Sequence, residues 1–86
     1  MPVYEILLSK ATRKQLKILP VFIHNNIIEE ITNLSYTPRP VGIVKLKGFK
    51  NSYRIRVGDY RVIYEIEDKV LRILVIAIGH RKDIYK

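Results

Sequence analysis

The segment 53-YRIRVGDYRVIYEI-66 alternates apolar and polar side chains on both sides of Gly58-Asp59. A period of two marks half-buried strands, and a glycine-containing pair between two such runs marks a tight hairpin. A two-residue loop at Gly58-Asp59 sets Val57 opposite Tyr60, Arg56 opposite Arg61, Ile55 opposite Val62 and Arg54 opposite Ile63. Arg56 and Arg61 are like charges on facing strands, an arrangement that destabilises a sheet.

Working outward, residues 70–78 form another run rich in branched residues. A second two-residue loop at Asp68-Lys69 would bring Glu65 opposite Arg72 and Arg61 opposite Ile76. One face then collects Tyr53, Ile55, Val57, Tyr60, Val62, Tyr64, Ile66, Leu71, Ile73, Val75 and Ala77, all apolar or aromatic. The other face holds Arg54, Arg56, Arg61, Ile63, Glu65, Arg72, Leu74 and Ile76. Glu65 and Arg72 neutralise each other in this register, whereas the three arginines have no carboxylate across from them. A slip of one residue would put the arginines into the core, so the apolar face fixes the arginine face. Guanidinium forks suit phosphate and never titrate, so the pattern points to an anion bound there.

The first half of the chain supplies a cover for the apolar face. "VYEILL" (3–8) reads as a strand, and Ser9 stands where a helix N-cap belongs before "KATRKQLKIL". Pro20 stops that helix and can open the next. In the second helix Ile23, Ile27, Ile28, Ile31 and Leu34 recur at helical spacing. "SYTPRPVG" (35–42) is a connecting loop, and "IVKLKG" (43–48) a short strand. The expected fold is α+β: strand, helical hairpin, then antiparallel meander, with two helices packed on one face of a small twisted antiparallel sheet. The 86 residues suit a single domain, 1–86.

Composition narrows the function. With 48% hydrophobic and 28% charged residues the chain is globular rather than disordered. It has no apolar run long enough for a bilayer span and no secretory signal pattern, so no membrane role is expected. Without cysteine there is no disulfide and no thiolate zinc site, which suits the cytoplasm. His24 and His80 are far apart, so no metal and no cofactor is expected. Lys and Arg number 16 against 8 Asp and Glu, a net charge of +8. Residues 44–86 hold eleven basic and five acidic side chains, 11 − 5 = +6, so the excess sits with the arginine-bearing strands. A polyanionic partner follows, either nucleic acid or an acidic protein segment.

Taken together, "KLKG", "YRIRVGDYRVIYEI" and the terminal "IAIGHRKDIYK" resemble the RelE/ParE superfamily of toxins from type II toxin–antitoxin pairs, over about Val3 to Tyr85. The resemblance, closest to the RelE-like branch, implies a cytoplasmic toxin held inactive in a hetero-oligomer with an acidic antitoxin. It also implies a ribosome-dependent endoribonuclease (an mRNA interferase) that cuts mRNA in the A site of a 70S-type ribosome and so inhibits translation. The family reaction is metal-free attack of a ribose 2′-OH on the adjacent phosphate. By position, Arg61, Arg81, Tyr85 and His80 are the implied catalytic residues. Arg54 and Arg56 match the family's basic pair before the hairpin, with Lys45, Lys47 and Lys50 as further RNA contacts. Both paired positions are often lysine in the family; arginine stabilises charge but is a poor proton donor. Two alternatives stay open: a ParE-type gyrase poison, and a catalytically inactive module that binds RNA or antitoxin.

Overall fold

A short strand feeds directly into a helix through Ser9, and that junction organises the fold. The computed structural model describes residues 3–84. Strand β1 spans Glu5–Leu8 and helix α1 Lys10–Ile18. Ser9 is the N-cap, with extended backbone and its Oγ accepting from the Thr12 N–H at 3.1 Å. Thr12 and Leu16, one turn apart, are the buried residues of α1. Leu19 is extended, as a residue preceding proline prefers. Pro20 then caps helix α2, Val21–Leu34, which buries Ile27, Ile31 and Leu34 along one stripe.

The chain crosses to the far edge of the sheet through 35–43 and returns as β2 (Val44–Lys45), β3 (Ser52–Val57), β4 (Tyr60–Glu67) and β5 (Arg72–His80). The strand order is β1-β5-β4-β3-β2. The expected α+β layering is observed, with one difference in the sheet. β1 lies parallel to β5, so the sheet is mixed rather than wholly antiparallel. The helical hairpin and segment 35–43 carry the chain from β1 at one edge to β2 at the other, and the meander then returns to set β5 beside β1. The core lies between helices and sheet and is filled by Leu16, Ile27, Ile31, Leu34, Ile55, Val62, Tyr64, Ile66, Ile73, Val75 and Ile78.

The β3–β4 pairing is the one expected, with Arg56 opposite Arg61. The β4–β5 pairing differs twice. The connection is a 3-10 turn, Asp68–Val70, closed by Leu71 in the left-handed region at φ 51°. No glycine or asparagine is present there to favour a two-residue hairpin loop, so four residues make the turn. Leu71 is therefore exposed in a turn instead of entering the core. Arg72 lies opposite Glu67, and its Nε stands 3.5 Å from Glu5 on β1, so it does not neutralise Glu65.

The second difference is a β-bulge. Tyr64 pairs with Val75 but Ile63 pairs with Ala77, which leaves Ile76 as an extra residue in β5. Beyond it the faces exchange. Ala77 turns to the open face beside Ile63, and Ile78 enters the core. Arg61 consequently faces Gly79 rather than Ile76. Carbonyls at the bulge are held by the start of α1. The Val75 carbonyl accepts the Ser9 N–H and the Thr12 hydroxyl, each at 3.0 Å, and Ser9 Oγ lies 3.2 Å from the Ile76 carbonyl.

The opposite end of the sheet is clamped by polar contacts. The fully buried Tyr64 donates its hydroxyl to the Pro38 carbonyl at 2.8 Å, and burial pushes its phenol pKa up, keeping it a neutral donor. Arg39 pairs with Asp68 at 2.8 Å and stacks over Tyr53, while the Tyr4 hydroxyl donates to Asp68 at 2.6 Å. The Arg39 guanidinium, helped by Tyr4, holds the Asp68 carboxyl below its usual range. The hydrogen bond to Asp68 in turn raises the Tyr4 phenol.

Two outcomes are expected. Thr12→Val, which keeps the shape but removes the hydroxyl bonded to Val75, should cost about 1 kcal/mol in urea unfolding. Asp68 binds protons more weakly folded than unfolded, so its contribution is complete above its unfolded pKa of about 4 and fades as pH falls below it. Tyr4 acts in the other sense, with stability lost as pH rises above about 10. The urea midpoint of Arg39→Ala should therefore fall less steeply than that of the parent below about pH 4.

Candidate anion-binding site

Strand alternation places Arg54 and Arg56 on the sheet face away from the helices, and the hairpin returns Arg61 to the same face. Gly58 takes φ 60°, and no non-glycine residue but Leu71 has a positive φ among the described residues. A left-handed glycine at the first central position is the type II′ pattern, which matches strand twist. The turn also resolves how two facing arginines coexist. The Gly58 carbonyl accepts from Arg56 Nε at 3.3 Å and from Arg61 Nη1 at 3.2 Å. Arg61 Nη1 reaches the Tyr60 carbonyl as well, at 3.0 Å. Both guanidiniums are thus drawn onto one backbone oxygen, and each still has N–H donors left over.

A third arginine joins them. The Arg81 N–H donates to the Asp59 carbonyl at 2.8 Å, and its Nε stands 3.8 Å from the Asp59 carboxylate. The segment after β5 is therefore tied to the hairpin turn, and Arg56, Arg61 and Arg81 converge on Gly58-Asp59. Gly79, opposite Arg61, has no side chain to fill the space. The Ile84 side chain lies over it, so close that a β-carbon on residue 79 would stand 3.0 Å from Ile84 Cδ1. The turn bringing Ile84 there is closed by the N–H groups of Asp83 and Ile84 on the His80 carbonyl, at 2.8 and 3.0 Å.

Other residues singled out in the sequence lie elsewhere. His80 pairs with Tyr60 in register and meets its ring edge-on at 5.5 Å, on the helix-covered face. Its Nδ1 accepts the Lys82 N–H at 3.1 Å. Lys45 pairs with Tyr53 at the β2 edge and so shares the helix-side face. Lys47 is on the open face, and Lys50 lies near Glu67 and Asp68 at the clamped end. Tyr85 lies outside the described residues. The sequence placed Ile63, Leu74 and Ile76 as apolar residues on the open face beside the arginines; the structure gathers Ile63 and Ile76 into a groove with Leu46, Phe49 and Ala77, three residues that sequence reasoning missed. Phe49, in a loop with no periodicity, carried little signal, and Ala77 reaches the groove only through the bulge. Among the described residues no cluster of His, Cys, Asp or Glu could hold a metal ion, and no helix is long and apolar enough to cross a membrane.

Comparison with known proteins identifies the family and the fold. The family model described as the ParE toxin of the type II toxin–antitoxin system, parDE, matches residues 6–85, and the chain belongs to that family. Toxin RelE3 of Methanocaldococcus jannaschii is 39% identical, with 94% of each chain covered. The archaeal RelE–RelB complex from Pyrococcus horikoshii contains a chain 31% identical to this one with a TM-score of 0.84, covering 94% of this chain and 98% of that one. The RelB–RelE antitoxin–toxin complex from Methanococcus jannaschii contains one 34% identical with a TM-score of 0.74, covering 92% and 94%. These three relatives, each at least 31% identical, are RelE proteins, so the ParE-type alternative is not favoured.

The arginine cluster is not expected to stabilise the fold. Arg56→Gln and Arg61→Gln should each change unfolding free energy by no more than about 0.5 kcal/mol in urea titration, the range for surface charges.

Proposed function

We propose that this chain is an mRNA interferase, a ribosome-dependent endoribonuclease acting in the cytoplasm and restrained by a cognate antitoxin. The observation that carries the reading is the convergence of Arg56, Arg61 and Arg81 on one hairpin turn, at an uncovered face whose like charges favour a bound anion. A scissile phosphate placed there would be attacked by its own ribose 2′-OH. The P–O5′ bond breaks, giving a 2′,3′-cyclic phosphate and a free 5′-OH. A base takes the 2′-OH proton and an acid returns one to O5′. Arg61 and Arg81 would stabilise the dianionic phosphorane, with Arg54 and Arg56 on flanking phosphates. Lys47 extends the basic surface along the open face; Lys45 and Lys50 would be peripheral contacts at the sheet edge and the clamped end. Because His80 faces the helices, we assign it to holding the turn that presents Arg81, and proton transfer to Tyr85.

The antitoxin reading rests on the groove of Leu46, Phe49, Ile63, Ile76 and Ala77 next to the arginines. An acidic segment with apolar anchors would order on binding there and cover the site. Solved complexes of the RelE-type relatives pair toxin with RelB.

The deciding experiment maps mRNA ends after induction on translated and untranslated copies of one transcript. Codon-phased cuts are expected only on the translated copy. Arg61→Ala and Arg81→Ala should slow cutting about 100-fold or more, as loss of a charge-stabilising donor does elsewhere. Tyr85→Phe should abolish most activity, and His80→Ala should leave a larger residue of it than any of these three. Growth arrest with gyrase-linked DNA breaks and no cleavage would overturn the assignment.

A further inference from the structure

Helix α1 carries a second concentration of charge. Residues 1–43 contain five basic side chains, and four of them, Lys10, Arg13, Lys14 and Lys17, lie in this nine-residue helix, which has no acidic residue. At about 100° per residue these four fall within an arc of about 100° and span about 10 Å along the axis. All four are exposed, and none forms an ion pair among the described residues. The pattern opposes stability twice over. Lys10 sits in the first turn, where the helix dipole favours an acid, and the i,i+3 and i,i+4 spacings set like charges against each other. Thr12 and Leu16 anchor the helix to the sheet, so the stripe points away from the covered face, on the other side of the sheet from Arg54, Arg56 and Arg61.

We propose that the basic stripe of α1 docks the phosphate backbone of a folded RNA, as a contact separate from the cleavage site. In taking RNA as the partner, it rests on the nuclease reading. Over 10 Å a duplex presents roughly six phosphates, enough to engage four cations in a row. An acidic protein segment fits less well, because no apolar side chain interrupts the stripe; Ile18, Val21 and Phe22 are exposed only beyond its end, at the tip of the helical hairpin. Basic surfaces on opposite sides of the sheet suit a partner that encloses the domain, so that one RNA holds α1 while another strand lies on the arginines.

The test uses the full chain with a fluorescent RNA hairpin and a fluorescent single-stranded oligonucleotide, in anisotropy titrations from about 50 to 200 mM salt. The variants are Lys10→Gln/Arg13→Gln/Lys14→Gln/Lys17→Gln together, and Arg56→Gln/Arg61→Gln. Glutamine keeps helix propensity, and circular dichroism confirms that each variant is folded. The α1 variant should bind the hairpin at least about tenfold more weakly, with its salt slope reduced by about 3, while single-strand binding changes little. The arginine variant should show the converse. An unchanged hairpin slope in the α1 variant overturns the proposal, as does a loss confined to affinity for purified antitoxin, which would make α1 a protein-binding face. Cleavage mapping reports on the nuclease reading separately: a chain that binds the hairpin through α1 but never cuts mRNA would retain this inference and lose the other.

Discussion

The Val75 carbonyl accepts two hydrogen bonds, from the Ser9 N–H and from the Thr12 hydroxyl. Much of the molecule depends on that oxygen. It lies next to the bulge at Ile76, where β5 exchanges its two faces, and it is capped by the first turn of α1. The bulge places Ile78 in the core, Gly79 across from Arg61, and His80 against Tyr60 on the helix side. A straight β5 would send Ile78 to the open face and present His80 beside the arginines. One extra residue in one strand therefore decides which groups can share a site, and a capped helix start holds it in place.

The site depends on a second constraint, the hairpin turn at Gly58-Asp59. A type II′ turn sets Arg56 opposite Arg61, which taken alone is repulsive. Its exposed carbonyls compensate. Gly58 gathers both guanidiniums, and Asp59 receives Arg81 through backbone and side chain. The turn is thus both the cause of the charge concentration and its partial relief. What remains is a cluster of partly unsatisfied donors preorganised around the hairpin turn, with Ile84 packed over Gly79 beside it. Preorganised cations of this sort stabilise charge that develops in a transition state without reorganising as it forms.

Strand and helix types were legible in the sequence because each stretch has a strong period. The 53–66 stretch set its own register, since one face is wholly apolar and the loop contains glycine. The helical stripe of Ile27, Ile31 and Leu34 was equally clear. The β4–β5 pairing was not. Asp68 to Leu71 contains neither glycine nor asparagine, so the loop length could not be read from turn chemistry. Val75 to Ala77 is uniformly apolar, so nothing in its pattern marks the residue that bulges. Resemblance to a family supplied Arg81 and His80 as site candidates, but position in the chain could not say that His80 meets Tyr60 on the helix side while Arg81 joins the hairpin turn at Asp59.

The sequence by itself determined the strand–helix–helix–meander order, the arginine face and the charge excess, because these follow from local periodicity and composition. Tertiary structure decided the parallel placement of β1, the bulge, the side taken by His80, the convergence of Arg81 on Asp59 and the groove built around Phe49. Each of these depends on contacts between segments distant in the chain. Their physical reason is the same. Backbone donors and acceptors at strand ends must find partners, and only the assembled fold determines which partners lie within reach.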